Sequence, residues 1–300
     1  MFAQMVTLQA QLFLFLMVGL LCRYGKIVTD EVRSGMISFT IHALLPCMIF
    51  DSFDMEFSRS LMVECGFGLI IAVAIQVLSY LCGSFLFRKN PPERESVLRY
   101  GFSFSNSGFA GLPICAEAFG SRGAVLGSFF MTPQRIVMWS VGLAFFNKGA
   151  KRKSFRGVIL HPAMIGLYLG LIRMLTGIRL PDFIDASVGK LGSCTTPISM
   201  ALVGTLLADT HIKDMFHPEI WKMLSFRHFL LPIAALLIAR LLKVDAVTAG
   251  VAVTMTGMPI ASLTAIVSDQ QGADSRFAST CVFVSTLISL ITVPVLTLLL

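Results

Sequence analysis

One arginine in this sequence stands where an arginine is costly. Arg135 lies near the middle of a continuously apolar run, 123–146, and a membrane helix tolerates Arg at its centre only at about 2.5–3.5 kcal/mol. Such a group must face protein or water and find an acceptor. Asp51, Glu64, Glu117 and Asp269 all fall nearer the ends of apolar runs. The acceptor is therefore a cluster of carbonyls or an anionic substrate, and the sequence leaves both open. A second chemically loaded feature is a repeated signature: Gly111-Leu-Pro113-Ile and Gly257-Met-Pro259-Ile, 146 residues apart. Proline lacks an N–H and clashes with the preceding turn, and glycine lets the backbone unwind. Each signature is expected to interrupt a helix at membrane depth. The free carbonyls on one side of such a break attract cations, and the free amides on the other attract anions.

Polar residues gather at both places. Ser103, Ser105, Asn106 and Ser107 precede the first signature, and Thr254, Thr256, Ser262 and Thr264 surround the second. Ser and Thr often bond back to their own helix, so singly they decide little. The Asn106 amide is harder to bury without a partner. The substrate-binding candidates are Asn106, Ser107, Gly111, Pro113, Arg135, Gly257, Pro259 and Ser262. No metal-ligand spacing, catalytic constellation or cofactor motif accompanies them. A coupling ion, proton or sodium, is the one cofactor-like species in view. The seven cysteines are scattered without a CxxC pair and read as small buried hydrophobes.

The elements that must position these residues follow from composition. Of 300 residues, 55 % are hydrophobic and 14 % charged, against roughly 45–50 % and 25 % in a soluble domain. Mean hydropathy is +0.79. Disorder and a small disulfide scaffold are excluded, and the balance argues against a soluble single-domain enzyme. The net charge of +7 sits in short breaks between apolar runs, which argues against nucleic acid and for a lipid bilayer. Ten spans are expected, at 2–21, 36–52, 62–87, 97–117, 123–146, 157–175, 184–207, 225–242, 246–268 and 276–299, with the second and eighth short. The first has no Lys or Arg before Arg23, so it reads as a retained span rather than a secretory signal. Basic residues concentrate in the odd-numbered loops, above all in NKGAKRKSFRG at 147–157, with Arg227 counted among them. That predicts cytoplasmic odd loops and both termini outside.

The two signatures fall in the fourth and ninth spans. Pro46 in the second and Pro197 in the seventh are 151 residues apart. The chain therefore reads as an all-α membrane protein of ten transmembrane helices, two inverted five-helix repeats with helices 4 and 9 broken. That is a pattern of secondary transporters. A carrier of small carboxylates is the leading reading, with a non-transporting receptor or channel, or an intramembrane enzyme, as alternatives. A primary pump is opposed by the absence of a Walker A motif.

SNSGFAGLPI at 105–114, PISMALVGTLLA at 197–208 and DSRFASTCVFVSTLISLITVPVL at 274–296 together resemble the auxin efflux carrier family. That family includes plant auxin exporters and bacterial malonate and malate permeases, and it belongs to a wider superfamily with bile-acid sodium symporters. The resemblance implies crossover helices 4 and 9, a dimerising scaffold of helices 1–2 (1–60) and 6–7 (157–210), and a mobile transport unit of helices 3–5 (61–147) and 8–10 (222–300). It implies elevator-like movement of a small organic anion across a plasma membrane, a bacterial inner membrane, by a homodimer. It places Asn106 and Pro113 in the first crossover and Pro259 in the second. The sequence departs from the family where Ile260 follows Pro259 and Leu263 stands in the place of an asparagine.

Overall fold

A computed structural model describes residues 2–54, 58–140, 142–146, 160, 162–208 and 215–298. The basic loop at 147–157 and the first residues of the sixth predicted span lie outside these. The described residues are helical, apart from short connections and one isolated antiparallel bridge between Ser105 and Ile260.

In chain order the helices are α1 (Phe2–Tyr24), α2 (Asp30–Asp51), α3 (Arg59–Leu86), α4 (Pro92–Ser103), α5 (107–119) and α6 (121–140). Then follow α7 (Pro162–Thr176), α8 (Asp182–Ser193), α9 (Thr195–Leu207), α10 (Pro218–Leu241), α11 (Ala246–Gly257), α12 (Leu263–Gln270) and α13 (Ser275–Thr297). Gly120, at φ 66°, separates α5 from α6 in a conformation that glycine adopts without Cβ strain. By length and apolarity alone, α2, α3, α10 and α13 are each able to cross a membrane.

Two expectations are corrected here. The second and eighth spans are not short. α2 starts at Asp30, where the Thr29 hydroxyl accepts from the Val32 N–H at 3.3 Å, a helix-starting cap. α10 starts at Pro218 and contains Arg227, which was assigned to a loop but is only 2 % exposed. Hydropathy missed both starts because each opens with charged residues: Asp30 and Glu31 in α2, Glu219 and Lys222 in α10. A π turn at Phe226–Leu230 then buries two consecutive polar residues, Arg227 and His228.

The helices pack as two groups. α1 lies against α9, and α2 against α7 and α8. The first contact is a reciprocal glycine pair: a Cβ on Gly19 would collide with the Ala201 carbonyl, and one on Gly204 with the Leu16 carbonyl. Small residues let membrane helices approach backbone to backbone in this way. α3, α4, α5–α6, α10, α11 and α13 pack among themselves, with α12 on α13. At one end of this second group Arg122 pairs with Glu64 at 2.7 Å and with Asp245 at 2.9 Å. That links the starts of α3, α6 and α11.

Candidate functional site

Two helices stop and restart inside the second group. α4 ends at Ser103 and α5 begins at Ser107. α11 ends at Gly257 and α12 begins at Leu263. The connecting segments cross antiparallel. The Asn106 N–H donates to the Pro259 carbonyl at 2.8 Å, and the Ala261 N–H to the Phe104 carbonyl at 3.0 Å. Away from water, every backbone group in such a segment needs a partner. Side chains supply the remainder. The Gln134 carboxamide acts as a third strand, taking the Ser105 N–H at 3.3 Å and donating to its carbonyl at 2.7 Å. The Ser285 hydroxyl accepts from the Ile260 N–H at 3.0 Å. Gln76 reaches the Ser103 carbonyl at 3.4 Å.

The first signature is placed differently from expectation. Pro113 is not in the break, which lies at 104–106. Pro113 follows the π turn Ser107–Gly111, in which the Leu112 N–H bonds to the Ser107 carbonyl. The wider turn shifts the hydrogen-bond register just where proline has no N–H to give. Ser105 and Asn106 thus lie in the break itself, with Ser103 and Ser107 at its two edges. Pro259 does lie within the second break.

The structure brings Asn106, Ser107, Arg135 and Ser262 to one cavity of about 70 Å³. By that measure a single water needs about 10–15 Å³, so several waters or a small acid fit. The two residues that immediately precede the restarted helices touch: Asn106 Nδ2 donates to Ser262 Oγ at 3.1 Å. The guanidinium of Arg135 lies over the first turn of α5, its Nη2 at 3.4 Å from where a Cβ on Gly108 would sit. A helix start carries partial positive charge. A guanidinium placed beside it makes the cavity a place for negative charge. Ile41 and Leu45 of α2 close the cavity from the other packing group.

Gly111 and Gly257 do not line this cavity. A Cβ on Gly111 would come within 2.8 Å of Met255 Sδ, and one on Gly257 within 2.9 Å of Leu296 Cδ1, so both allow close helix packing. Pro259 borders a separate small cavity with Asn106, Thr286 and Ser289. Thr264 is buried, and Thr256 lines a third cavity with Gln76, Ser103 and Arg227.

Sequence reasoning missed Gln134 and Arg227. Besides the Ser105 N–H, Gln134 Oε1 accepts from the hydroxyls of Ser105 at 2.7 Å and Ser107 at 3.1 Å. The available signal was Gln134 beside Arg135 in an apolar run. Arg227 donates to the Phe102 carbonyl and lies 3.5 Å from the Met258 carbonyl. Its signal was Arg227-His228 inside a run that is otherwise apolar from Phe226 onward.

Similarity to known proteins runs along nearly the whole chain. The profile of a family described as "membrane transport protein" matches residues 4–297. The chain is 23 % identical over 295 residues to an uncharacterized transporter of Methanocaldococcus jannaschii, covering 93 % of this chain and 94 % of the relative. It is 24 % identical over 289 residues to an uncharacterized transporter of Methanothermobacter thermautotrophicus, covering 93 % and 92 %. The chain therefore belongs to this membrane transport protein family, that of the auxin efflux carriers, and is a multi-pass membrane protein.

Proposed function

We propose that this member of the family is a secondary carrier of a small organic anion, a carboxylate, bound where the two breaks cross. One observation carries the reading: two helix starts and the Arg135 guanidinium converge on one cavity, with Asn106 and Ser262 bridging them. The amide and hydroxyl donors match carboxylate oxygens, and charge-assisted bonds of this kind are among the stronger ones. The substrate residues we assign are Asn106, Ser107, Arg135 and Ser262, with Gln134 holding the first break in shape. Gly111, Pro113, Gly257 and Pro259 serve the site by shaping its helices.

The movement we infer is elevator-like alternating access through two inverted five-helix repeats. Its support is the packing: the crossing lies in one group of helices, and α2 of the other group closes the cavity. α1, α2 and α7–α9 form the scaffold, and the resemblance makes that scaffold the contact of a homodimer. The excess of basic residues in odd loops supports a plasma-membrane orientation with both termini outside.

Uptake into proteoliposomes of labelled malonate, malate, succinate, lactate and indole acetate tests the function, with sodium, pH and voltage gradients imposed in turn. Saturable uptake of one acid is expected. Folded protein that takes up none of them overturns the anion reading.

A further inference from the structure

The crossing has a negative side as well as a positive one. α4 and α11 both end there, and helix C-termini bring unpaired carbonyls with partial negative charge. Three kinds of partner can meet such carbonyls at membrane depth: a bound cation, water, or a donor from the protein. Here a protein donor reaches both ends. Arg227, 2 % exposed, donates through Nη1 to Phe102 O, in the last turn of α4. Its Nη2 lies 3.5 Å from Met258 O, the residue capping α11. At that separation attraction between charge and dipole, more than a formed hydrogen bond, holds the second end.

The surroundings hold the guanidinium in place and leave its charge to the carbonyls. The π turn of α10 projects Arg227 and His228 into the core together. His228 is fixed between Ser285 at 2.9 Å and Thr292 at 3.3 Å. Ser285 also carries the Ile260 N–H of the second break, so the segment bearing Arg227 is tied to the crossing. The cavity beside Arg227 is lined by Gln76, Ser79, Ser103, Gln134 and Thr256 among its polar groups, with no carboxylate among the described residues. Guanidinium has only donors and does not lose its proton in proteins. A metal cation at the same carbonyls would stand beside a permanent positive charge.

We propose that Arg227 is a built-in replacement for a coupling cation: its guanidinium occupies the place at the two helix ends where a sodium ion would otherwise sit, and the carrier runs without sodium. This rests on reading the crossing as the transport site. The experiment uses the purified full chain in detergent and needs no transported acid, so an empty uptake panel and a failure here are distinguishable. The unfolding midpoint of the wild type should be the same in sodium chloride and choline chloride, and equilibrium dialysis should detect no saturable binding of radioactive sodium. Arg227→Ala should lower the midpoint by several degrees in choline, with millimolar sodium restoring part of the loss and conferring saturable sodium binding. Saturable sodium binding by the wild type overturns the proposal, and this arm stands even where Arg227→Ala does not fold. Arg227→Ala that responds to methylguanidinium but not to sodium overturns it too, leaving Arg227 as a structural strut, as does a variant indifferent to both cations.

Discussion

The two breaks meet as an antiparallel pair but are built from opposite materials. The first, through Ser103, Phe104, Ser105, Asn106 and Ser107, is mostly polar. The second, through Met258, Pro259, Ile260, Ala261 and Ser262, is apolar until its last residue. The backbone duty is shared almost evenly, since each segment gives one N–H to the other's carbonyl. The side-chain duty is not shared. The first break brings Ser105, Asn106 and Ser107 to the cavity, whereas the second brings Ala261, Ser262 and Leu263. The crossing is therefore nearly symmetric in its backbone and asymmetric in its side chains. The first break supplies the polar side chains, and the second supplies a backbone partner and an apolar wall.

The supports of the two breaks should break first and most unequally. Gln134→Leu leaves both the N–H and the carbonyl of Ser105 without their partner. A buried unsatisfied group costs about 1–3 kcal/mol, so two cost roughly 2–6 kcal/mol. Ser285→Ala strands the Ile260 N–H and one His228 contact, and should destabilise less, by about 1–3 kcal/mol for the amide. Unfolding midpoints in detergent compare the two. A larger loss for Ser285→Ala would mean that the second break is the one that needs its side-chain support.

Recognition is the next contrast. Asn106→Ala keeps the Asn106 N–H bond to Pro259 and removes only the carboxamide, so it should leave folding intact and cut uptake roughly 100-fold. Ser262→Ala removes one hydroxyl from the poorer side and should cost only about 2–10-fold. Equal losses would make the site symmetric after all. Arg135→Lys falls between them: it keeps the charge and loses the planar fork, for about a tenfold loss in affinity. Labelled-acid uptake at graded concentrations reads all three. Unchanged affinity in Arg135→Lys would remove Arg135 from the substrate.

The sequence made the second break legible, because Pro259 lies within it, and it made several donors legible, because polar side chains stand out in apolar runs. Asn106, Ser107, Arg135 and Ser262 stand among the eight candidates of the sequence, and the cavity separates them from the glycines and prolines. Gln134 and Arg227 are not among those eight. Gln134 works through its contact with Ser105, 29 residues away in sequence, which no local spacing reports. Arg227 was counted as a loop charge because hydropathy reads a charged residue near an apolar edge as a boundary. Its π turn, which turns two polar neighbours inward at once, is followed by Pro232 as the turn Ser107–Gly111 is followed by Pro113, a signal that reads as a simple kink until the turn is seen. Pro113 misled in the opposite sense. Its ring suggested a break at its own position, while the backbone absorbed it in a widened turn and opened seven residues upstream, at Asn106.

The helices that deliver carbonyls to the crossing also start differently, and this gives the smallest effect. α4 opens behind Pro91 with no side-chain cap. α11 opens behind Asp245, whose carboxylate accepts from Val247 N at 3.0 Å, Thr248 N at 3.3 Å and Thr248 Oγ1 at 2.6 Å while pairing with Arg122. Burial alone would raise its pKa. The Thr248 bonds, Arg122 and the Val247 bond outweigh that and hold it below the ordinary carboxylate value. A carboxyl held low in the folded state contributes fully above the unfolded value near pH 4, and loses its contribution as pH falls through the folded one. Asp245→Asn can still cap but gives up the ion pair, which at this exposure is worth about 0–1 kcal/mol. Asp245→Ala gives up the cap as well, for about 0.5–2 kcal/mol. Unfolding midpoints at pH 7 should therefore fall in the order wild type, Asn, Ala, and the gap between wild type and Asn should close as pH falls below about 4. A gap that persists in acid would show that the Asp245 charge does not hold α11 against Arg122.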